Sequence, residues 1–570
     1  MKNLYLFILS FLFFNSTNAQ TFNLVKNVNL SPDNGYVSIN CSFKELNGKL
    51  YYIFPEQASS KNTLYETDGT NVGTNRITPA NVNITSNLIV GGNKIYFFAS
   101  DGLNGVEPWV SDGTTAGTFM LKNINASTDD NFAETMFLTF LSADSSKAFF
   151  KGNDGTTGEE LWVTDGTTLG TVFVADIFQG INGSQIKISK SAHGSSMRDG
   201  KLYFFAVNGN GGPTTLNGEE PWVSDGTQAG TFLLKDIVPG YQGCNTSFGL
   251  PIQIIEYNNK MYFMAVGQTA ASQTGLYETD GTTAGTIQAF TTSTSSFDRI
   301  NEMIVFNNKI YYTVSDGGSD PRVFSTDGTL AGITFIDTLV DADLNNPATC
   351  QMTIANNELY FRVNHNTLGD ELYKLDASNK INLVKEICVG ASFGINSNVY
   401  SERKVFQVYD NKLWFLGSDG SAFGAQQMWR SDGTVAGTIA MSPLNNDSGW
   451  AGGYLSPYDI YATSFGMFMI YTNPTTGSEL YVYNNSTSSI EEINVKNKIS
   501  IYPNPTTDFI EIISETPLKH FLISTILGRK IMNSEITNNK INISNLPSGT
   551  YYLNVTDENM NSVTKQFIKL

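Results

Sequence analysis

Along most of this chain, apolar and polar residues alternate over short spans that stop at glycine. Residues 87–121 show the pattern. Asn87-Leu-Ile-Val90 runs into Gly91-Gly-Asn93, and Lys94-Ile-Tyr-Phe-Phe98 into Ser100-Asp-Gly-Leu-Asn-Gly105. Glu107-Pro-Trp-Val-Ser111 then runs into Asp112-Gly113, before Gly117-Thr-Phe-Met-Leu121. Period-two runs divided by turn residues predict strands, and no 3.6-residue periodicity competes with them. The segment therefore predicts four short antiparallel strands joined by tight turns.

The unit recurs. Glu160-Leu-Trp-Val-Thr-Asp-Gly-Thr-Thr-Leu-Gly-Thr171 is its most regular copy. The same words stand at 64–74, 107–118, 220–231, 276–286, 323–334 and 427–438, with degenerate copies at 371–376 and 479–484. Nine copies follow one another at spacings of 44 to 60 residues, a period that suits a propeller blade. Phe22-Asn-Leu-Val-Lys-Asn-Val28 reads as a fourth strand with no unit of its own, like Ile381-Asn-Leu-Val-Lys-Glu-Ile387, while the last unit lacks one. An N-terminal strand that completes the last blade would leave no open edge. The expectation is an all-β propeller of eight to nine four-stranded blades over residues 20–483; an open β-solenoid is the alternative.

Both ends differ from the repeats. Lys2, the apolar run Leu4–Phe14 and the small residues Thr17 and Ala19 predict a signal peptide over residues 1–19, cut between Ala19 and Gln20. That run is too short to span a bilayer, and no later segment is long and apolar enough. Residues 484–498 read as a polar linker. From 499 to 570 about seven short strands predict a small Ig-like β-sandwich.

Composition narrows the function. The 570 residues carry 53 Asp and Glu against 35 Lys and Arg, a net charge of −18. Residues 499–570 hold six of each sign, so the acidic excess belongs to the repeats. An acidic surface repels phosphate backbones and argues against nucleic acid. Three scattered histidines (His193, His365 and His520) argue against histidine-based metal sites and triads. Cys41, Cys244, Cys350 and Cys388 allow three pairings; Cys350 and Cys388 lie in neighbouring units, and their disulfide and four unpaired thiols both stay open.

The repeated Asp-Gly-Thr reads first as turn chemistry, since Asp-Gly tolerates positive φ. The aromatics at one register (Trp109, Trp162, Trp222, Trp429) read as packing, whereas Trp414 and Trp450 stand off the pattern as candidate ligand-binding aromatics. Asp101, Asp154, Asp316 and Asp419 occupy Asp-Gly loops, some followed by Glu107, Glu159 or Glu219, and are candidate calcium ligands. No catalytic motif stands in a meaningful context, and no pair of acids can be chosen for glycoside hydrolysis.

Glu160-Leu-Trp-Val-Thr-Asp-Gly-Thr167 is similar to the ELWxxDGT repeat of secreted bacterial proteins, over most of residues 45–483. Tyr502-Pro-Asn-Pro505, Gly549-Thr-Tyr551 and the strand from Lys565 to Leu570 resemble the sorting domain of the type IX secretion system of Bacteroidetes. That second resemblance implies export through the periplasm, recognition by the type IX machinery, removal of the domain, and release or surface attachment of the cargo. The repeats then suggest a non-enzymatic binding or adhesion propeller with a glycan or protein ligand. The alternative is a polysaccharide-active hydrolase.

Overall fold

The computed structural model describes residues 22–28, 42–56, 59–125, 139–181, 183–188, 196–208, 219–237, 254–266, 274–291, 299–315, 321–339, 350–365, 367–389, 394–395, 405–419, 427–441, 459–473, 477–484, 500–514, 518–525, 530–536, 539–557 and 562–570. The predicted signal peptide and its Ala19–Gln20 cleavage site lie outside them, as do Cys41, Cys244, Asp316, Trp450 and most of the polar stretch before residue 499. The described residues are strands, turns and loops without a helix, and they divide at Asn485/Ser486 into two compact units.

The first unit is a propeller. Its described residues form nine antiparallel sheets; eight take their four strands in chain order, with one extra short strand in the second, and the ninth takes three. The hairpins between first and second strands explain part of the sequence. Asn47-Gly48, Asp199-Gly200, Asn258-Asn259, Asn307-Asn308, Asn356-Asn357 and Asp410-Asn411 all carry positive φ at both positions. This is the type I′ geometry that matches strand twist, and Asn, Asp and Gly tolerate it best.

First strands of successive blades touch: Phe43–Leu46 meets Ile89–Gly91, Ile254–Tyr257 meets Arg299–Phe306, and Gln407–Tyr409 meets Asp459–Ala462. They are therefore the inner strands. Fourth strands are the outer ones, with half-exposed apolar residues such as Phe119, Phe232 and Phe335.

Between each blade and the next lies an apolar cluster, and the clusters close a circle. Leu50, Tyr52 and Tyr65 of the first blade pack on Phe468, Ile470 and Val482 of the ninth. The repeated aromatic takes part in every one. Trp162, for instance, sits with Tyr96 and Phe98 of the preceding blade and stacks on Phe150 of its own, 6.2 Å between ring centroids. Such pairs add roughly 0.5–1.5 kcal/mol beyond area burial.

The ninth blade is completed from the other end of the chain. Asn23–Lys26 pairs antiparallel with Gly477–Tyr483 as its fourth strand. Val25 is buried between blades, and Phe22 packs on Tyr483 at 5.5 Å. This closure excludes the open-solenoid alternative. The outer edges that remain are blunted. The pairing of third and fourth strands shifts register at Leu161/Trp162, Leu276/Tyr277, Val323/Phe324, Leu372/Tyr373 and Leu24/Lys26. A bulge twists an edge strand away from further pairing.

The second unit is a two-sheet sandwich. Ser500–Tyr502, Phe509–Ile513 and Lys540–Asn542 form one sheet. Lys530–Glu535, Leu518–Thr525, Gly549–Asp557 and Ser562–Lys569 form the other, in that order. Ile510, Ile512 and Ile541 face Ile523, Leu553, Val555 and Phe567 in the core between them.

Candidate functional site

The Asp-Gly-Thr turns use their carboxylates and hydroxyls internally. In the third blade, Asp165 Oδ1 accepts from Thr167 N at 2.8 Å and Thr167 Oγ1 at 2.7 Å. Thr167 Oγ1 accepts from Gly170 N at 2.9 Å, and Thr171 Oγ1 donates to Thr167 O at 2.6 Å. Gly166 has φ +84, and a Cβ on Gly170 would fall 2.1 Å from Asp165 Oδ1. The motif thus needs its first glycine for backbone conformation and its second for space. The same bonds recur around Asp68, Asp112, Asp225, Asp280 and Asp432. Bonds from Thr167 hold the Asp165 carboxyl below the usual carboxylate range.

The glutamate that opens the third strand has a different task, which the sequence reading missed. Glu160 is fully buried and accepts from Ile177 N at 3.0 Å and Phe178 N at 3.1 Å. It ties down the chain as it leaves the fourth strand. Glu107 grips Ile124 and Asn125 in the same way, and Glu371 grips Ile387 and Cys388. In the ninth blade Glu479 holds Val28 N at 3.0 Å, across 451 residues, so the same staple fastens the closing strand. A lysine works beside it. Lys122, Lys235 and Lys385 each donate to a turn-threonine carbonyl of the next blade, and Lys26 donates to Thr74 of the first blade. The recurring signal was available as a glutamate with an isoleucine 16 or 17 residues further on.

Burial pushes these glutamates up, to about 7 for Glu107 and Glu160 and about 8 for Glu371, against the partial opposition of the amides. Glu302, buried and accepting from Met352 N, also rises to about 8. A carboxyl raised on folding stabilises the fold fully below its unfolded pKa, and that contribution is lost as pH rises through the folded value. The turn aspartates, lowered on folding, contribute above their unfolded pKa and oppose acid. The denaturation midpoint of the propeller is therefore expected to be higher near ~pH 5 than near ~pH 8. Urea titration at both values checks this; a midpoint that rises with pH would refute the assignment.

The other sequence candidates are dispersed. Asp101 accepts from Leu103 N, Asn104 N and Asn104 Nδ2 within its own loop, and Asp154 from Thr156 and Thr157. Asp419 is exposed at the edge of the described residues. Among the described residues no group of three His, Cys, Asp or Glu gathers as metal ligands do. Glu107 is the staple described above, Glu159 pairs with Lys151 at 2.9 Å, and Glu219 pairs with Lys187. Trp414 is not a ligand platform, as it lies fully buried between the eighth and ninth blades with Nε1 donating to Tyr409 O. Cys388 is buried after the fourth strand of the seventh blade, and Cys350 opens the strand Cys350–Ala355.

In the second unit the sequence motifs do converge. The Tyr502–Pro503 and Asn504–Pro505 peptides are cis. Asn504 Nδ2 donates to Gln566 O at 3.1 Å, and Asn504 Oδ1 accepts from Ile568 N at 2.9 Å. Gly549 stands opposite Lys569, Tyr551 opposite Phe567 and Lys565 opposite Leu553 in the last strand pair. Tyr551 stacks on Phe567 at 5.5 Å and donates from Oη to Pro547 O at 3.0 Å. Tyr502 and Lys565 are exposed. Three stretches scattered over some 70 residues thus meet at the terminal strand.

Residues 500–569 match the family described as a secretion system C-terminal sorting domain. The module is a type IX sorting domain. It makes the chain a secreted cargo of type IX secretion, released or held at the outer surface of the cell. No curated protein matches the chain. Among solved structures it resembles PorZ, a surface component of the type IX system of Porphyromonas gingivalis, at 12% identity and TM-score 0.29 over 92% of this chain and 81% of that one. It also resembles dipeptidyl peptidase 4 of the same organism, at 10% identity and TM-score 0.40 over 84% of this chain and 65% of the peptidase. The β-propeller domain of the trilobed protease of Pyrococcus furiosus matches at 12% identity and TM-score 0.31, over 60% of this chain and 98% of that domain. No helix among the described residues is long and apolar enough to cross a membrane.

Proposed function

We propose that residues 20–483 are an ELWxxDGT-repeat ring that binds a glycan or a protein at the cell surface without catalysing a reaction. Residues 1–19 would serve as its export signal and residues 499–570 as the sorting signal removed on delivery. The observation that carries the reading is the inequality of the ring's two ends. Strands one to four run antiparallel, so the first-to-second and third-to-fourth turns share one end. Those turns are short and alike, and the third-to-fourth turns bond within themselves or to a lysine of the preceding blade. The other end takes the second-to-third loops, from three residues (366–368) to 13 (207–219), and the blade-to-blade connections, from six (77–82) to 21 (176–196). Turns that repeat serve the fold, and variation confined to one end of a rigid scaffold marks the end that recognises something. Calcium held by Asp101, Asp154, Asp316 or Asp419 would belong to that end.

Purified ring is expected to bind a subset of surfaces on glycan and protein arrays with no reducing sugar released from the same polysaccharides. Steady sugar release, lost on replacing acids of the variable end, would overturn the reading in favour of the hydrolase. Deleting residues 499–570 is expected to trap the protein in the periplasm, and normal export of the deletion would refute the sorting part.

A further inference from the structure

An edge strand leaves one row of its backbone groups unpaired unless something ties it down. Here the tie is specific. The amide of Asn504 spans Gln566 O and Ile568 N, so one side chain stands in for a neighbouring strand along the outer edge of Ser562–Lys569. Thr506 continues the contact, its N donating to Ile568 O at 2.9 Å while its O accepts from Leu570 N at 2.8 Å. Phe567 and Lys569 turn inward and are buried, whereas Ile568 and Leu570 turn outward with 43% and 61% of their surface exposed. Ser562–Lys569 is thus a clamped edge strand, with Ile568 and, just beyond it, Leu570 on display.

We propose that Asn504 is the positioning residue of the sorting signal. It fixes the terminal strand so that Ile568 and Leu570 are presented, already ordered, to an apolar groove of the export machinery. The inference rests on the sorting reading and adds to it which atoms do the positioning and which side chains are read. Preordering matters because a frayed strand must lose its conformational freedom on binding, which weakens recognition.

The test uses the full chain in a host with type IX secretion. Asn504→Ala is expected to lower export about tenfold, in line with the loss of one to two net hydrogen bonds. It should leave the urea midpoint of the ring unchanged and speed amide exchange at Ile568. Asn504→Asp still accepts from Ile568 N and is expected to restore part of the export. Ile568→Ser touches only the displayed face and is expected to reduce export with the module folded. Ile513→Ser, at a position 54% exposed on the other sheet, is expected to export normally. If Asn504→Ala and Ile568→Ser both export like the parent while the 499–570 deletion does not, this inference fails and the sorting reading stands. Export of the deletion itself sinks both.

Discussion

Val25→Asp opens the ring. Val25 is 1% exposed and sits between Phe43, Phe54 and Leu480, where the closing strand meets the first and ninth blades. An aspartate there must either bury an unpaired carboxylate or pull the strand out. Burial of an unpaired charge costs several kcal/mol. Withdrawal forfeits the pairing with Gly477–Tyr483, the Glu479–Val28 staple and the Lys26–Thr74 bond together. The expected loss is about 4 kcal/mol or more, read as a lower urea midpoint and as new proteolytic cleavage in the first and ninth blades. Val384→Asp is the informative companion. Ile381–Lys385 shares Asn-Leu-Val-Lys with residues 23–26, and Val384 is buried in the same register. That strand is joined directly to the third strand of its own blade and onward to the eighth blade, so its variant is expected to loosen one blade without opening the circle. Equal proteolysis patterns for the two variants would show that residues 22–28 do not close the ring.

Glu160→Ala is expected to cost about 2–4 kcal/mol, because it strands the buried N–H of Ile177 and the part-buried N–H of Phe178. Asp165→Ala, five residues later in the same repeat, is expected to cost nearer ~1 kcal/mol. Its carboxylate is exposed, and water can replace it at Thr167. Both acids belong to the repeat signature, so the contrast separates recurrence from energetic weight. The Glu160 variant should also flatten part of the decline in stability between ~pH 5 and ~pH 8, since it removes one of the raised carboxyls. Indistinguishable costs for the two variants would contradict the staple.

Much of this architecture was legible from local pattern. A period-two run broken by Asx-Gly has few conformations open to it, and the recurring copies of such a run specify eight to nine four-stranded sheets, of which the structure forms nine. The match of Phe22–Val28 to fourth strands announced the closure. The burial of Trp414 was not legible, since its off-pattern place suggested exposure while its register on the second strand puts it in the interface. Nor could sequence separate the two acids of each repeat, because burial and not identity distinguishes Glu160 from Asp165.

The repeat unit, its period, the sorting module and a fourth strand with no unit of its own were all legible in residues adjacent along the chain, whereas the count of nine blades and the closure of the circle came from strand pairing. Only the tertiary structure decided that Glu479 fastens Val28, that Lys26 reaches Thr74, and that Asn504 clamps the last strand. Those bonds join residues separated by 451, 48 and 64 positions. A polar side chain can reach such a partner only after the packing of whole sheets has brought the two ends within about 3 Å of each other.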